Sequence, residues 1–276
     1  MYPEGVLIYL QKDPAQRNRV QAVLTKEFPH HYLSITRGFP SLWPQDSGMQ
    51  LGDTLYTTRE PILYMFQELS ERTSLSPDEI HRVLPLADLR VIEGGLHVPI
   101  PRSGVVASAQ VDLPNNGRQT VFSMHGWKVM FAEQILLGLQ QKLAKTGNID
   151  WIYGTKEGQH LDCVLTGIDL EPGNWNSVRW YIDSELGEYL QSTEKDSVLI
   201  QSARLFPHDL ALRGGLNIAY QCNGSEWVTL VPSVSAIGPL VQDLINAGYR
   251  IVELGEDQVR NGGGIKCRSL AFHWRT

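Results

Sequence analysis

Apolar runs of four to six residues, separated by polar and turn-rich stretches, recur along this chain and set its predicted elements. Gly5-Val6-Leu7-Ile8-Tyr9-Leu10 has no polar interruption and predicts a buried strand. Asp13-Pro14 then opens a helix to about Glu27, because Asp caps the open N–H groups of a first turn and Pro suits its first position. Tyr32 to Ile35 predicts a strand, Met49 to Tyr56 a hairpin, and Arg59 to Arg72 and Ser76 to Leu84 two helices. Leu89 to Ile92 predicts a strand ending at Glu93-Gly94-Gly95, and Val98 to Ala109 a strand pair broken at Pro101-Arg102-Ser103-Gly104. Trp127 to Lys145 carries the longest helical pattern, with Val129, Phe131, Ile135, Leu136, Leu139 and Leu143 at roughly helical spacing. Strands are predicted at Ile149 to Tyr153 and at Leu161 to Ile168. Trp175 to Gln191 and Ser235 to Ala247 predict helices, interleaved with strands near Val198 to Ile200, Asn217 to Tyr220, Trp227 to Val231 and Tyr249 to Glu253.

The order strand, strand, helix, strand returns several times without literal sequence repetition. That alternation predicts an α/β architecture. No Gly/Ser or Pro-rich linker, charged tail or low-complexity segment divides the chain, so one domain over residues 1–276 is expected. A hydrophobic content of 42% and a charged content of 20% belong to an ordinary globular protein. The net charge of −6, with no long basic run, argues against nucleic acid as an obligate partner and is compatible with a cationic substrate. No apolar run approaches the length of a membrane span, and Met1 to Gly5 shows no signal-peptide pattern, so a cytoplasmic protein with no membrane partner is expected.

Cys163, Cys222 and Cys267 are odd in number and widely spaced, which fits neither a disulfide framework nor a Cys-x-x-Cys metal pattern. Cys267 follows Gly262-Gly263-Gly264-Ile265-Lys266, and glycines there let backbone or ligand approach where a Cβ would clash. A thiolate is the most reactive anion a side chain offers near neutral pH. On a strand, His160 and Asp162 would project from one face, a proton-transfer group beside a cation-binding group. The pair serves equally as a hydrogen-bonded surface pair, and two ligands are too few for a metal site. Asp46, in Trp43-Pro44-Gln45-Asp46, and Glu93, in Glu93-Gly94-Gly95, are each ordinary turn residues when taken alone.

Taken together and in chain order, these short motifs resemble the guanidine-modifying enzyme superfamily. That group includes arginine, agmatine and peptidylarginine deiminases, dimethylarginine hydrolases and amidinotransferases. Trp43-Pro44-Gln45-Asp46 resembles the Trp-x-Gln-Asp form of peptidylarginine deiminases and the Trp-x-Arg-Asp form of agmatine deiminases. Glu93-Gly94-Gly95 is similar to the motif of arginine and agmatine deiminases. His160-Leu161-Asp162 with Val164-Leu165-Thr166 resembles the arginine deiminase version. Gly263-Gly264-Ile265-Lys266-Cys267 looks most like agmatine deiminases, and Phe272-His273-Trp274 is similar to the aromatic end of peptidylarginine deiminases.

The resemblance implies a pentein fold, a five-bladed pseudo-symmetric α/β propeller of ββαβ modules around a narrow site. It implies Cys267 as nucleophile, His160 as acid and base, and Asp46, Asp162 and Glu93 as the catalytic carboxylates that also hold a guanidinium. Gln45, Trp43 and Arg268 are the further substrate-binding candidates. The expected activity is hydrolysis of an arginine-type guanidinium, within a peptide or protein, to a citrulline-type product and ammonia. The alternatives are a deiminase of free arginine or agmatine, an amidinotransferase, and a non-catalytic binding propeller. No cofactor and no metal are expected, and a homodimer is admissible. A free amino acid would need a cation for its carboxylate, for which Arg37, Arg102, Arg204, Arg213 and Arg268 are candidates. Three departures from the family patterns bear on the identity of the substrate rather than on the reaction type. Gln45 replaces the Arg of most members, and Leu96 stands where arginine deiminases carry Asp. The chain is also short, and Pro114-Asn115-Asn116-Gly117 matches no motif of the group.

Overall fold

The computed structural model describes residues 4–38, 44–51, 54–57, 86–88, 97–109, 111–113, 117–119, 128–132, 161–193, 195–258 and 264–273, with Gln67, Ser70, Glu71, Ser76, Asp78, Glu79 and Gly95 between them. The chain divides into two compact units. One comprises Met1–Gly94, Gln221–Val228 and Lys266–Thr276; the other comprises Gly95–Tyr220 and Thr229–Ile265.

In the first unit, β1 (Gly5–Leu10) is the central strand of a sheet, parallel to β2 (His31–Thr36) and antiparallel to β17 (Ser269–His273). All six β1 residues are buried, which explains a run with no polar position. A parallel pair needs a crossover, and α1 (Pro14–Glu27) supplies it. Asp13 caps α1 by accepting from the Ala15 amide at 2.9 Å, and Val20 and Leu24, one turn apart, are its buried residues. A second sheet pairs β3 (Gly48–Leu51) antiparallel with β4 (Thr54–Thr57), and β4 parallel with β5 (Leu86–Asp88). The strand expected at 89–92 falls outside the described residues, as does most of the two helices expected at 59–72 and 76–84. The reciprocal capping of Ser76 and Glu79 is present: the Glu79 amide donates to Ser76 Oγ and the Ser76 amide donates to Glu79 Oε2.

In the second unit, β6 (His97–Ile100) and β7 (Val105–Ala109) form the expected antiparallel pair around a turn at 101–104. A two-stranded ribbon follows, β8 (Val111–Leu113) with β9 (Gly117–Gln119). Then β10 (Lys128–Ala132) joins β7 in parallel. β11 (Leu165–Asp169) pairs antiparallel with β12 (Val178–Asp183), and β12 pairs parallel with β13 (Arg204–Phe206) across α2 (Ser184–Thr193) and α3 (Val198–Ser202). α4 (His208–Leu212) follows β13. A further sheet, whose residues are not all of this unit, has the order β14 (Ala219–Cys222), β15 (Trp227–Val231), β16 (Arg250–Glu253), with α5 (Gly238–Asn246) before its final strand. Five three-stranded sheets therefore stand among the described residues, and in four of them an antiparallel pair extends to a parallel third strand. The core of this unit joins Val98, Ile100 and Val105 to Leu165, Trp180, Ile182, Leu186 and Leu199.

Four expected elements change type. Residues 128–132 of the expected 127–145 helix are a strand, because they find a pairing edge in β7; the remainder lies outside the described residues. The expected helix at 175–191 is three elements. Asn174 caps a 3-10 turn at Trp175–Ser177, the aromatic and β-branched run at Val178–Asp183 is strand, and Asp183 accepts from the Leu186 amide at 3.2 Å to start α2. Val198 to Ile200 is helical, not extended, since Ser197 Oγ accepts from the Ile200 amide. Leu161 to Cys163, expected as strand, is a 3-10 turn that precedes β11. The strand expected at 149–153 lies outside the described residues.

Candidate active site

In the first unit, Cys267 lies in the turn that leads into β17 and is 1% exposed. The turn is closed by Ser269, whose amide and hydroxyl both donate to the Lys266 carbonyl, at 3.0 and 3.1 Å. The neighbouring Arg268 is fastened to the end of β1 in both directions. Its carbonyl accepts from the Leu10 amide at 2.8 Å, and its Nη1 donates to the Leu10 carbonyl at 3.3 Å. Arg268 is buried, and its guanidinium, expected to face substrate, rests on this main-chain carbonyl.

Gln45, also buried, donates its amide to the Cys267 carbonyl at 3.4 Å. Gln45 belongs to a 3-10 turn at Pro44–Ser47, which carries Asp46 on its next residue. Two motifs separated by more than two hundred residues in sequence are thereby joined through their backbones. The side chain of Asp46 lies outside the described residues, as do Trp43, Glu93 and His160.

In the second unit, Asp162 sits at the middle of the Leu161–Cys163 turn and is 1% exposed. The turn is closed by the Val164 amide, which donates to the Leu161 carbonyl at 3.1 Å; Val164 in turn accepts from the Asp183 amide at 3.0 Å at the end of β12. A strand would have sent Cys163 to the face opposite Asp162. The turn instead brings Cys163 Sγ to 3.6 Å from Asp162 Oδ1. Cys163 is half-buried there and packs against the hydrophobic core of this unit. Asn217 Nδ2 donates to the Asp162 carbonyl at 3.1 Å and lies 3.6 Å from Cys163 Sγ. Gly264, from the glycine-rich segment, is seated against the Asn217 side chain.

Two residues of this neighbourhood carried no chemistry in the sequence reading. Asn217 stood there only as the start of a strand, and its place two residues after Gly214-Gly215 was the available signal. His97 is fully buried at the start of β6, a strand packed on the Leu161–Cys163 turn. It follows Glu93-Gly94-Gly95 by two residues.

Four of the five arginines considered as carboxylate clamps are engaged elsewhere. Arg102 Nη1 donates to the Ala247 carbonyl at 2.6 Å, and its Nε lies 3.5 Å from Asp169 Oδ2. Arg204 is 3.9 Å from Asp243, which also binds Arg179 and the Tyr181 hydroxyl. Arg213 pairs with Glu256, which Ser233 and Ser235 also reach, and these bonds hold the Glu256 carboxyl down at about 2. Arg268 is bound as described. Arg37 is exposed at the end of β2.

No family model matches the sequence, and no curated protein matches it. Solved structures do. A dimethylarginine dimethylaminohydrolase, as its adduct with 4-chloro-2-hydroxymethylpyridine, aligns with a TM-score of 0.54 at 13% identity, covering 99% of this chain and 100% of that one. An agmatine deiminase from C. Jejuni with substrate bound aligns with a TM-score of 0.50 at 12% identity, covering 99% and 96%. The chain has the fold of the guanidine-modifying enzymes. The α/β composition expected from the alternating elements is that of the pentein neighbours. Among the described residues, no helix is long and apolar enough to cross a membrane.

Proposed function

We propose that the protein is a cysteine-dependent guanidine hydrolase that converts arginine in a peptide to a citrulline-type product and ammonia. The five three-stranded sheets among the described residues support its reading as one catalytic five-bladed α/β propeller over residues 1–276. One observation carries the reading: the Gln45 amide bonded to the Cys267 carbonyl, which joins the acid-bearing turn to the thiol-bearing turn in a chain of pentein fold.

A guanidinium is planar and resonance-stabilised, so its carbon resists water. Carboxylates that accept its N–H groups in fork geometry hold it in place and keep it cationic. Asp46, Asp162 and Glu93 take this role, with Gln45 and Trp43 beside them. The burial of Asp162 supports it, because a carboxylate removed from water binds a cation strongly. Cys267 thiolate forms a bond to the guanidinium carbon, giving a tetrahedral adduct. His160 then gives a proton to the departing nitrogen and the C–N bond breaks, releasing ammonia. Water, losing one proton to His160, adds to the same carbon; the C–S bond breaks to return the thiolate, and the remaining hydroxyl proton passes to the released ammonia. The balance is guanidinium plus water to ureido product plus ammonium. No metal or cofactor enters these steps.

Gln45 and the Phe272-His273-Trp274 end of the chain, each similar to the peptidylarginine deiminase form, favour a peptide arginine over free arginine or agmatine.

The test is a panel of arginyl peptide, agmatine, arginine and methylated arginine, assayed for ammonia and ureido product with and without an acceptor amine. Ammonia and a ureido peptide from the arginyl substrate, lost in Cys267→Ala and unaffected by a metal chelator, are the expected result. Turnover only with an acceptor would replace hydrolase by amidinotransferase. Silence on every guanidine, with no labelling of Cys267 by a haloacetamidine, would leave a binding propeller.

A further inference from the structure

We propose that Asn217 is a positioning residue that holds the turn carrying Asp162 and the glycine approach to Cys267 in one frame. The assignment rests on the proposed guanidine chemistry and adds to it a residue outside the sequence motifs. Asn217 is 2% exposed and sits between Gly214, which has a left-handed backbone with φ of +78°, and the start of β14. Its own amide donates to the Gly214 carbonyl at 3.1 Å, so the backbone under the side chain is fixed.

Two faces of the Asn217 side chain are used differently. Its Nδ2 donates to the Asp162 carbonyl at 3.1 Å and reaches Cys163 Sγ at 3.6 Å, which pins the 3-10 turn from which the Asp162 carboxylate projects. The other face is covered by Gly264. A Cβ on Gly264 would lie 2.6 Å from Asn217 Oδ1, 2.7 Å from its Cβ and 2.9 Å from its Cγ. No side chain fits at 264 while Asn217 keeps its place, and this is the physical requirement for glycine at that point of the approach. Asp162 would grip the guanidinium and Cys267 would attack it. One buried amide therefore touches the turn of the first and the lead-in of the second. Small errors in such a frame are costly, since displacement of a reacting group by about 1 Å can lower a rate on the order of a hundredfold.

The two faces separate in an experiment on the full chain. Asn217→Asp keeps the bulk that meets Gly264 but replaces the donor with an acceptor facing the Asp162 carbonyl. Gly264→Ala keeps the donor and adds the excluded methyl. With arginyl peptide as substrate, Asn217→Asp is expected to raise KM about tenfold or more through loss of the grip. Gly264→Ala is expected to lower kcat and the rate of Cys267 alkylation by a haloacetamidine, in which the thiolate displaces halide, by about a hundredfold. Gly264→Ala combined with Asn217→Gly vacates the space, and its alkylation rate is expected to recover at least about tenfold over Gly264→Ala. Rates are compared on protein shown to be folded by its thermal transition. Asn217→Leu, which keeps the bulk and removes the donor without adding a charge, replaces Asn217→Asp if the latter does not fold. Folded variants with wild-type KM, kcat and alkylation, or a double variant no better than Gly264→Ala, overturn the assignment while the catalytic reading stands. Wild-type protein that neither turns over a guanidine nor alkylates overturns both.

Discussion

Replacing Tyr249 by Phe tests whether the buried charge network of the second unit is held as the geometry indicates. Asp169, at the end of β11, is fully buried. Its Oδ1 accepts from the Tyr249 hydroxyl at 2.5 Å, and Arg102 Nε stands 3.5 Å from Oδ2. Arg102 also lies over the Tyr249 ring, 4.6 Å from its centroid, and Tyr220 packs against that ring at 5.1 Å. The substitution keeps the ring and its packing and removes one hydrogen bond to a carboxylate, a loss of about 1.5–3 kcal/mol.

The pH dependence gives the prediction its direction. Burial pushes the Asp169 pKa above the ordinary 3.8; the Tyr249 hydrogen bond, then the Arg102 charge, pull it back. A carboxyl whose folded pKa is raised binds its proton more tightly in the native state. Its contribution to stability is complete below the unfolded value and is lost as pH rises through the folded value. Tyr249→Phe removes the strongest opposing influence, so the folded pKa rises further and the native state loses more at neutral pH than in acid. Burial also pushes the Tyr249 and Tyr220 hydroxyls upward, so neither titrates in this window. Urea unfolding followed by tryptophan fluorescence at about pH 5 and about pH 8 measures both quantities. A loss below about 0.5 kcal/mol, or a larger loss at the acid pH, would refute the arrangement.

Three further substitutions, one of them a control, probe local structure. Asp13→Ala removes the α1 cap, whose carboxylate accepts from the Ala15 amide, and is expected to cost about 1 kcal/mol in denaturant unfolding. Gly215→Ala would place a Cβ 2.2 Å from the Ala236 carbonyl oxygen and 2.9 Å from that of Leu210, and is expected to cost about 3 kcal/mol or more. Gly104→Ala, which meets no atom within 4 Å and strains only a φ of +65°, is the control and is expected to cost about 1–2 kcal/mol; equal losses at the two glycines would contradict the close packing at Gly215.

Elements with a local signal were legible in the sequence. β1 was an unbroken apolar run because it is covered on both faces, and α1 announced itself through Asp13-Pro14. The misassigned elements share a physical cause, since the deciding contacts were remote or were caps. Val129 and Phe131 fit a helix or a strand, and only the edge of β7 decides between them. Val198-Leu199-Ile200 is β-branched at two of three positions, but Ser197 supplies the cap that turns it into α3. Trp175 to Gln191 has helical spacing when taken whole, and Asn174 and Asp183 cut it into turn, strand and helix.

The site shows the same division at finer grain. Cys267 and Gln45 were found as short motifs, and the bond between their backbones depends on how β17 and the Pro44–Ser47 turn pack, which no spacing encodes. Asp162 was found for a reason the fold does not use. Period-two alternation would have aimed its carboxylate away from Cys163, whereas the 3-10 turn sets carboxylate and thiol 3.6 Å apart on one side. The aim of Asp162 is thus set by what holds the turn: the Val164 amide within it and the Asn217 amide from 55 residues away. A motif search identifies the residue that performs chemistry. It passes over the neutral, buried amide that aims that residue, because such a group has no reactivity to notice and its partners come from remote parts of the chain.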